Sequence, residues 1–133
     1  MKKNSKVKVS AVANFLAEQS VPEENKFLWS YEIQIENNSD DIIQVLNRYW
    51  RITDMTGHVE EVRGPGVVGL QPIIKGAKQF SYNSYCQLMT PTGTMEGYYE
   101  MQNLDETRFI VEIPKFILST PSELTALFRS RLH

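Results

Sequence analysis

The sequence predicts an all-β protein, an antiparallel sandwich of about seven strands followed by one short C-terminal helix. Three observations carry that expectation. Apolar residues recur at period two over most of the chain, the signature of strands with one buried and one wet face. Polar turns separate these segments at the spacing of a β-sandwich. No segment of helical period lies between them, which excludes alternating strand and helix units. With 133 residues, 41% hydrophobic and 23% charged, the chain is expected to form one domain large enough for its own core.

Taken in order, VKVSAVANFL opens the series. In KFLWSYEIQIEN, Phe27, Trp29, Tyr31, Ile33 and Ile35 fall on one side, with Ser30, Glu32, Gln34 and Glu36 on the other. NNSDD then supplies a polar break. IIQVLNRYWRITD and HVEEV, joined by DMTG, read as a hairpin with a glycine-containing turn. In the first arm Ile43 and Val45 have one parity while Leu46, Trp50 and Ile52 have the other, so a β-bulge is expected near Asn47 or Arg48. Residues 63–77 read as a long connection. QFSYNSYCQL sets Phe80, Tyr82, Ser84 and Cys86 against Ser81, Asn83, Tyr85 and Gln87. TMEGYYEM sets Met95, Gly97, Tyr99 and Met101 against Glu96, Tyr98 and Glu100. After the NLDET turn, Phe109, Val111 and Ile113 share a face, and Pro114 confines that last strand to an edge or a bulge.

TPSELTALFRSRL has the marks of a helix: Thr120 as N-cap, Pro121 at the first helical position, and Glu123 completing a capping box. Leu124, Leu127, Phe128 and Leu132 make a one-sided apolar stripe. So short a helix is marginal alone, and it is expected to dock on its own sandwich or on a partner. The domain organisation is thus a sandwich over 1–121 and a helical extension over 122–133.

RGPGVVGLQP spaces Gly64, Gly66 and Gly69 as G-x-G-x-x-G, the pattern with which dinucleotide-binding folds seat a pyrophosphate. The context argues against that use. A buried, nearly all-apolar strand should precede it, yet HVEEVR carries Glu60, Glu61 and Arg63; a helix should follow, yet Pro72 stands three residues after Gly69. Two readings are left. The stretch is a crossover whose glycines permit unusual backbone and whose Val67 and Val68 tuck against the core, or its N–H groups form an anion-binding nest beside Arg63.

No G-x-S-x-G, H-E-x-x-H or C-x-x-C motif is present, and no catalytic residue is assigned. His58 lies in a turn and His133 is the last residue, poor positions for a base. Cys86, the single cysteine, excludes an internal disulfide and reads as a small buried hydrophobe. His58 and Glu60, two apart on one strand face, are a two-ligand candidate for a divalent metal ion. No cofactor is implied. With 14 basic and 16 acidic residues the net charge is −2, which gives no pull toward nucleic acid or anionic membrane. No apolar run approaches a membrane span and no signal segment is evident, so a cytoplasmic protein is expected. Tyr85 and Tyr98, at exposed parity on neighbouring candidate strands, are candidate anchors for a protein partner or else cross-strand stabilisers.

EEVRGPGVVGLQP, CQLMTPTGTMEGYYEM and RFIVEIPKFILSTP, in that order, together with QSVPEENKFLWSYEIQIEN and RYWRITD, resemble the bacterial ApaG family from about Val7 to Pro121. The resemblance implies an immunoglobulin-like or fibronectin type III-like sandwich without known catalytic activity. It also implies an association with cobalt tolerance and magnesium efflux, and with genes that often neighbour a diadenosine tetraphosphate hydrolase. Related domains in eukaryotic F-box proteins and in a polymerase-delta-interacting protein imply a protein-interaction module, its partner here unidentified. The family's glycine motif maps onto Gly64, Gly66 and Gly69, with Pro65 and Leu70 standing where the family pattern leads one to expect polar residues. A small-ligand protein using Arg63 and these glycines, or His58 with Glu60, is the alternative. Open sheet edges leave a homodimer as a further alternative.

Overall fold

The computed structural model describes residues 1–132. Its strands are β1 (Lys2–Lys3), β2 (Val7–Phe15), β3 (Phe27–Asn37), β4 (Ile43–Asp54), β5 (Val59–Pro65), β6 (Ile73–Ile74), β7 (Gln79–Leu88), β8 (Thr92–Asn103) and β9 (Arg108–Ser119), with helix α1 (Ser122–Leu132) at the end. Two of these strands are only two residues long, and the rest are the expected seven. They form two sheets, β1-β9-β8-β4-β5 with β6 also on β4, and β2-β3-β7. Every pairing is antiparallel except the short one of β1 with β9. The antiparallel sandwich and its short C-terminal helix are therefore what the chain forms.

Period-two alternation builds the interior. Trp29, Ile33 and Ile35 of β3 and Tyr82 and Cys86 of β7 face Val45 and Trp50 of β4, Met95, Tyr99 and Met101 of β8, and Val111 and Ile113 of β9. Burying side chains of this size contributes roughly 1.5–3 kcal/mol each, which makes this interior the main source of stability. Two polar links tie the layers. Trp29 Nε1 donates to the Ser119 carbonyl at 2.8 Å, and the Tyr82 and Tyr99 hydroxyls bond to each other across the core. Burial pushes both phenols above their ordinary pKa.

The expected bulge exists one residue earlier than the parity suggested, at Leu46, where the pairing of β4 with β8 shifts between Val45 and Asn47. Pro114 also sits at a register shift, where β8 pairs Met95 with Phe116 but Gly97 with Ile113. Its missing N–H costs no ladder bond on the outer side, because β1 covers β9 only at Phe109 and Ile110.

The connection expected over 63–77 is strand at 63–65 and again at 73–74, with a turn and irregular backbone making up the rest. β5 runs to Pro65 opposite Asn47, and β6 resumes on the same edge of β4 at Ile73 opposite Gln44. The helix also starts later than expected. It begins at Ser122, the Pro121 carbonyl accepts from the N–H groups of Leu124 and Thr125 at 3.0 and 3.3 Å, and the Thr120 hydroxyl bonds the Thr125 hydroxyl at 2.8 Å instead of capping a backbone N–H. Of its stripe, Leu124 is half-buried, Phe128 meets Phe27 edge-on at 6.1 Å, and Leu127 turns outward. The helix thus docks on its own sandwich through Phe128. The Leu132 side chain and His133 lie outside the described residues.

Asn37, read in the sequence only as part of a polar break, is fully buried. Its Nδ2 donates to the carbonyls of Asp41 (2.8 Å) and Ile74 (3.0 Å), and its Oδ1 accepts from the N–H and hydroxyl of Ser39. It therefore fastens the β3–β4 turn to β6, and its four bonds offset the cost of burying an amide.

Candidate functional site

Past the bulge, odd-numbered residues of β4 face solvent, and the register then decides which side chains meet. Tyr49 lies opposite Tyr98 on β8 and opposite Arg63 on β5. The two tyrosine rings stack with centroids 4.9 Å apart at 34°. The Arg63 guanidinium lies 4.3 Å over the Tyr49 ring, and its Nη1 reaches the Tyr98 hydroxyl at 3.3 Å. Cation and π-face attract, and the stack fixes three side chains before anything binds. This cluster borders a depression of about 360 Å³ that Asn47, Arg48 and Glu100 also line. On its other side a second depression of about 520 Å³ runs toward Arg51, Glu96 and Lys115. Glu100 is engaged by Arg108 at 2.7 Å and Asn47 at 3.2 Å, so its charge is balanced.

Gly97 positions this ridge from below. A Cβ there would fall inside the Tyr49 carbonyl oxygen's contact radius, so only glycine lets β8 approach the Tyr49 backbone so closely. Arg63 and Tyr98, read from the sequence as parts of separate candidates, are brought together. Tyr49 was not singled out; its parity opposite buried Trp50 was the available signal, but its partners depend on cross-strand register. Tyr85 is not part of this surface. β7 and β8 follow one another in sequence but belong to different sheets, so Tyr85 and Tyr98 look out from opposite faces. The expectation that their strands are neighbours is corrected: between β7 and β8 the chain crosses from one layer to the other.

The glycine motif forms a tight excursion on the edge of β4. Val67 and Leu70 exchange both backbone hydrogen bonds (2.8 and 2.9 Å), with Val68 at φ 42° and Gly69 at φ 80° between them, a turn with two left-handed residues. Gly66, at φ 62°, leaves no room for a Cβ against the Leu70 carbonyl. Gly64 faces the Arg48 guanidinium, whose Nη1 donates to the carbonyls of Pro65 (2.9 Å) and Gly66 (3.2 Å). The Gly66 N–H bonds the Leu46 carbonyl, so the N–H groups of Gly66, Val67 and Leu70 are all engaged within the protein. What the excursion offers Arg48 is carbonyl oxygen, the wrong polarity for an anion nest. Val67 is buried as expected, whereas Val68 is exposed. A β-branched residue at positive φ is strained.

His58 and Glu60 are both exposed at the start of β5. The His58 backbone N–H, with the Thr56 N–H and hydroxyl, bonds the Asp54 carboxylate. Against partial burial, which acts upward, these bonds hold Asp54 below its ordinary pKa. Among the described residues no three His, Cys, Asp or Glu side chains group as a metal site. Cys86 is buried, and burial foremost, with the Glu60 charge, pushes its thiol up to about 12. It is an inert thiol at neutral pH.

Comparison with known proteins agrees with this architecture. Residues 17–103 match the family model described as the ApaG domain. A Brucella anthropi protein named ApaG is 47% identical over 121 residues, covering 91% of this chain and 93% of that protein, and the Brucella abortus ApaG is 44% identical over the same span. A crystal structure described as an ApaA protein from Bordetella pertussis superposes with a TM-score of 0.85 at 38% identity, covering 91% of this chain and 98% of that one. A second structural-genomics X-ray structure gives 0.84 at 34% identity, with 90% of each chain covered. The chain belongs to the ApaG family.

Proposed function

We propose that the chain is a non-catalytic protein-interaction module of the cytoplasm whose contact surface is the outer face of the β9-β8-β4-β5 sheet, anchored by Tyr49, Tyr98 and Arg63. The observation that carries this reading is the solvent-facing stack of two tyrosines and an arginine between two depressions, built on paired strands. Tyrosine and arginine dominate binding hot spots, and a stack already ordered in the free protein loses little side-chain entropy on binding. The division into three strands on one sheet and four long strands on the other supports an immunoglobulin-like or fibronectin type III-like module, an architecture common among binding domains. On this reading the cobalt and magnesium association implied by the family resemblance acts through the partner, not through a metal held by this chain.

The test compares capture from cell extract by the wild-type protein and by a Tyr98→Ala variant of equal melting temperature, followed by titration of the captured protein. Loss of a hot-spot tyrosine weakens affinity by about 30-fold or more. Equal affinity for both forms overturns the assignment.

A further inference from the structure

A sandwich of this kind has four lateral edges, and three of them carry devices that block strand addition. β5 bears Glu60, Glu61, Arg63 and Pro65 and is interrupted by the 66–70 excursion; β9 bears Pro114 with a bulge and is overlaid at one end by β1; β2 carries Lys8. Charges, prolines and bulges are how proteins keep such edges from pairing. β7 has none of them. Gln79–Leu88 holds no charged residue and no proline, and it pairs with β3 through an unbroken register from Phe27↔Leu88 to Glu36↔Gln79. Among the described residues its other side pairs with no strand. Tyr85 on this strand and Met89 just beyond it are 65% and 67% exposed.

The surroundings of the strand favour one occupant. The registers place Arg48, Gly64 and Tyr99 level with Tyr82, and Ile52, Glu60 and Met95 level with Cys86, so Ser84 is midway. A two-fold axis at Ser84 exchanges those two levels. It sets Glu60 of each copy level with Arg48 of the other and brings no charge against its like, because the paired strands have none. Any even register keeps buried side chains on the buried face; this one pairs Phe80 with Leu88, Tyr82 with Cys86 and Asn83 with Tyr85 across the axis.

We propose that β7 is a self-association edge, pairing antiparallel with β7 of a second copy about Ser84 and joining the two three-stranded sheets into one. This surface lies on the opposite sheet from the Tyr49 and Tyr98 ridge and does not depend on that assignment. Edge pairing buries little area, so the dimer is a weak one that forms by mass action.

Sedimentation equilibrium over a concentration series, up to about 1 mM where even millimolar association is visible, tests it. The expected result is a reversible monomer–dimer equilibrium. Asn83→Lys with Tyr85→Lys sets like charges across the axis and is expected to raise the dimer dissociation constant at least about tenfold. Asn83→Asp with Tyr85→Lys sets opposite charges there and is expected to keep or tighten the dimer. Both positions are exposed in the monomer, and matching circular dichroism spectra check that each variant folds. A wild-type protein that stays monomeric throughout overturns the proposal, as does a dimer indifferent to both double substitutions. A monomer whose β7 instead accepts an extended peptide of another protein also overturns the second-copy assignment.

Discussion

The glycine excursion at 66–70 and the tyrosine ridge lie beside one another along β4, yet they are held by opposite means. In the excursion the backbone is unusual, with three left-handed residues in succession apart from Val67, and every side-chain contact is secondary to that path. In the ridge the backbone is ordinary strand and three side chains do everything. The region conspicuous as a motif is therefore a structural solution, a way of letting an edge strand leave and rejoin its neighbour. The region with binding character has no motif at all.

The difference is sharpest in stability. Gly66→Ala drives a Cβ into the Leu70 carbonyl at positive φ, and we expect urea unfolding to show a loss of about 3 kcal/mol or more. Gly64→Ala meets only the movable Arg48 guanidinium at 2.9 Å and is expected to cost far less. Val68→Gly relieves a β-branched residue held at φ 42° and is expected to stabilise the fold by about 1 kcal/mol. Tyr98→Ala, which removes an exposed stack, is expected to cost only about 0.5–1.5 kcal/mol of stability. If Tyr98→Ala unfolds the protein while Gly66→Ala is neutral, the division between backbone-held and side-chain-held regions is wrong.

Smaller effects extend the comparison. Asp54 caps the β4–β5 turn, and its pKa is depressed in the folded state. The stability it adds is present above the unfolded value of about 3.9 and is lost as pH falls through the lowered folded value. The melting-temperature gap between wild type and Asp54→Asn should therefore be open at neutral pH and narrow as the solution is acidified below that range. Smallest of all is the expected response to ions. With the N–H groups of Gly66, Val67 and Leu70 engaged and carbonyl oxygens turned toward Arg48, the stretch 58–72 should show no saturable amide shifts in NMR titrations with Co²⁺, Mg²⁺, ATP or a dinucleoside polyphosphate; saturable shifts confined there would revive a ligand site.

The strands were legible because alternation is local: parity alone separates Trp29 from Ser30 and Tyr99 from Tyr98, and the parity break in β4 exposed its bulge to within a residue. What resisted was non-local. Nothing between Leu88 and Thr92 says that the chain changes sheets there, so Tyr85 and Tyr98 looked adjacent. β6 is two residues long and exists only because β4 has an edge to offer. Asn37 looks like any turn asparagine until the carbonyls it satisfies, one of them 37 residues away in sequence, are brought to it. The ridge was half read, since Arg63 and Tyr98 were each noted, while Tyr49, which joins them, becomes visible only through register.

The hydroxyl pair of Tyr82 and Tyr99 spans the two layers at the centre of the core, and each phenol is kept protonated there well past the ordinary value of about 10. Burial opposes phenolate formation on either ring while the layers stay together. Stability therefore declines as pH climbs above that value, since the separated layers release protons the closed ones retain. The ultraviolet absorbance of phenolate, followed after a jump to alkali, is then expected to contain a delayed step from this pair. The delayed step times the opening of the sandwich, giving the protein a label-free clock for the rate at which its sheets come apart.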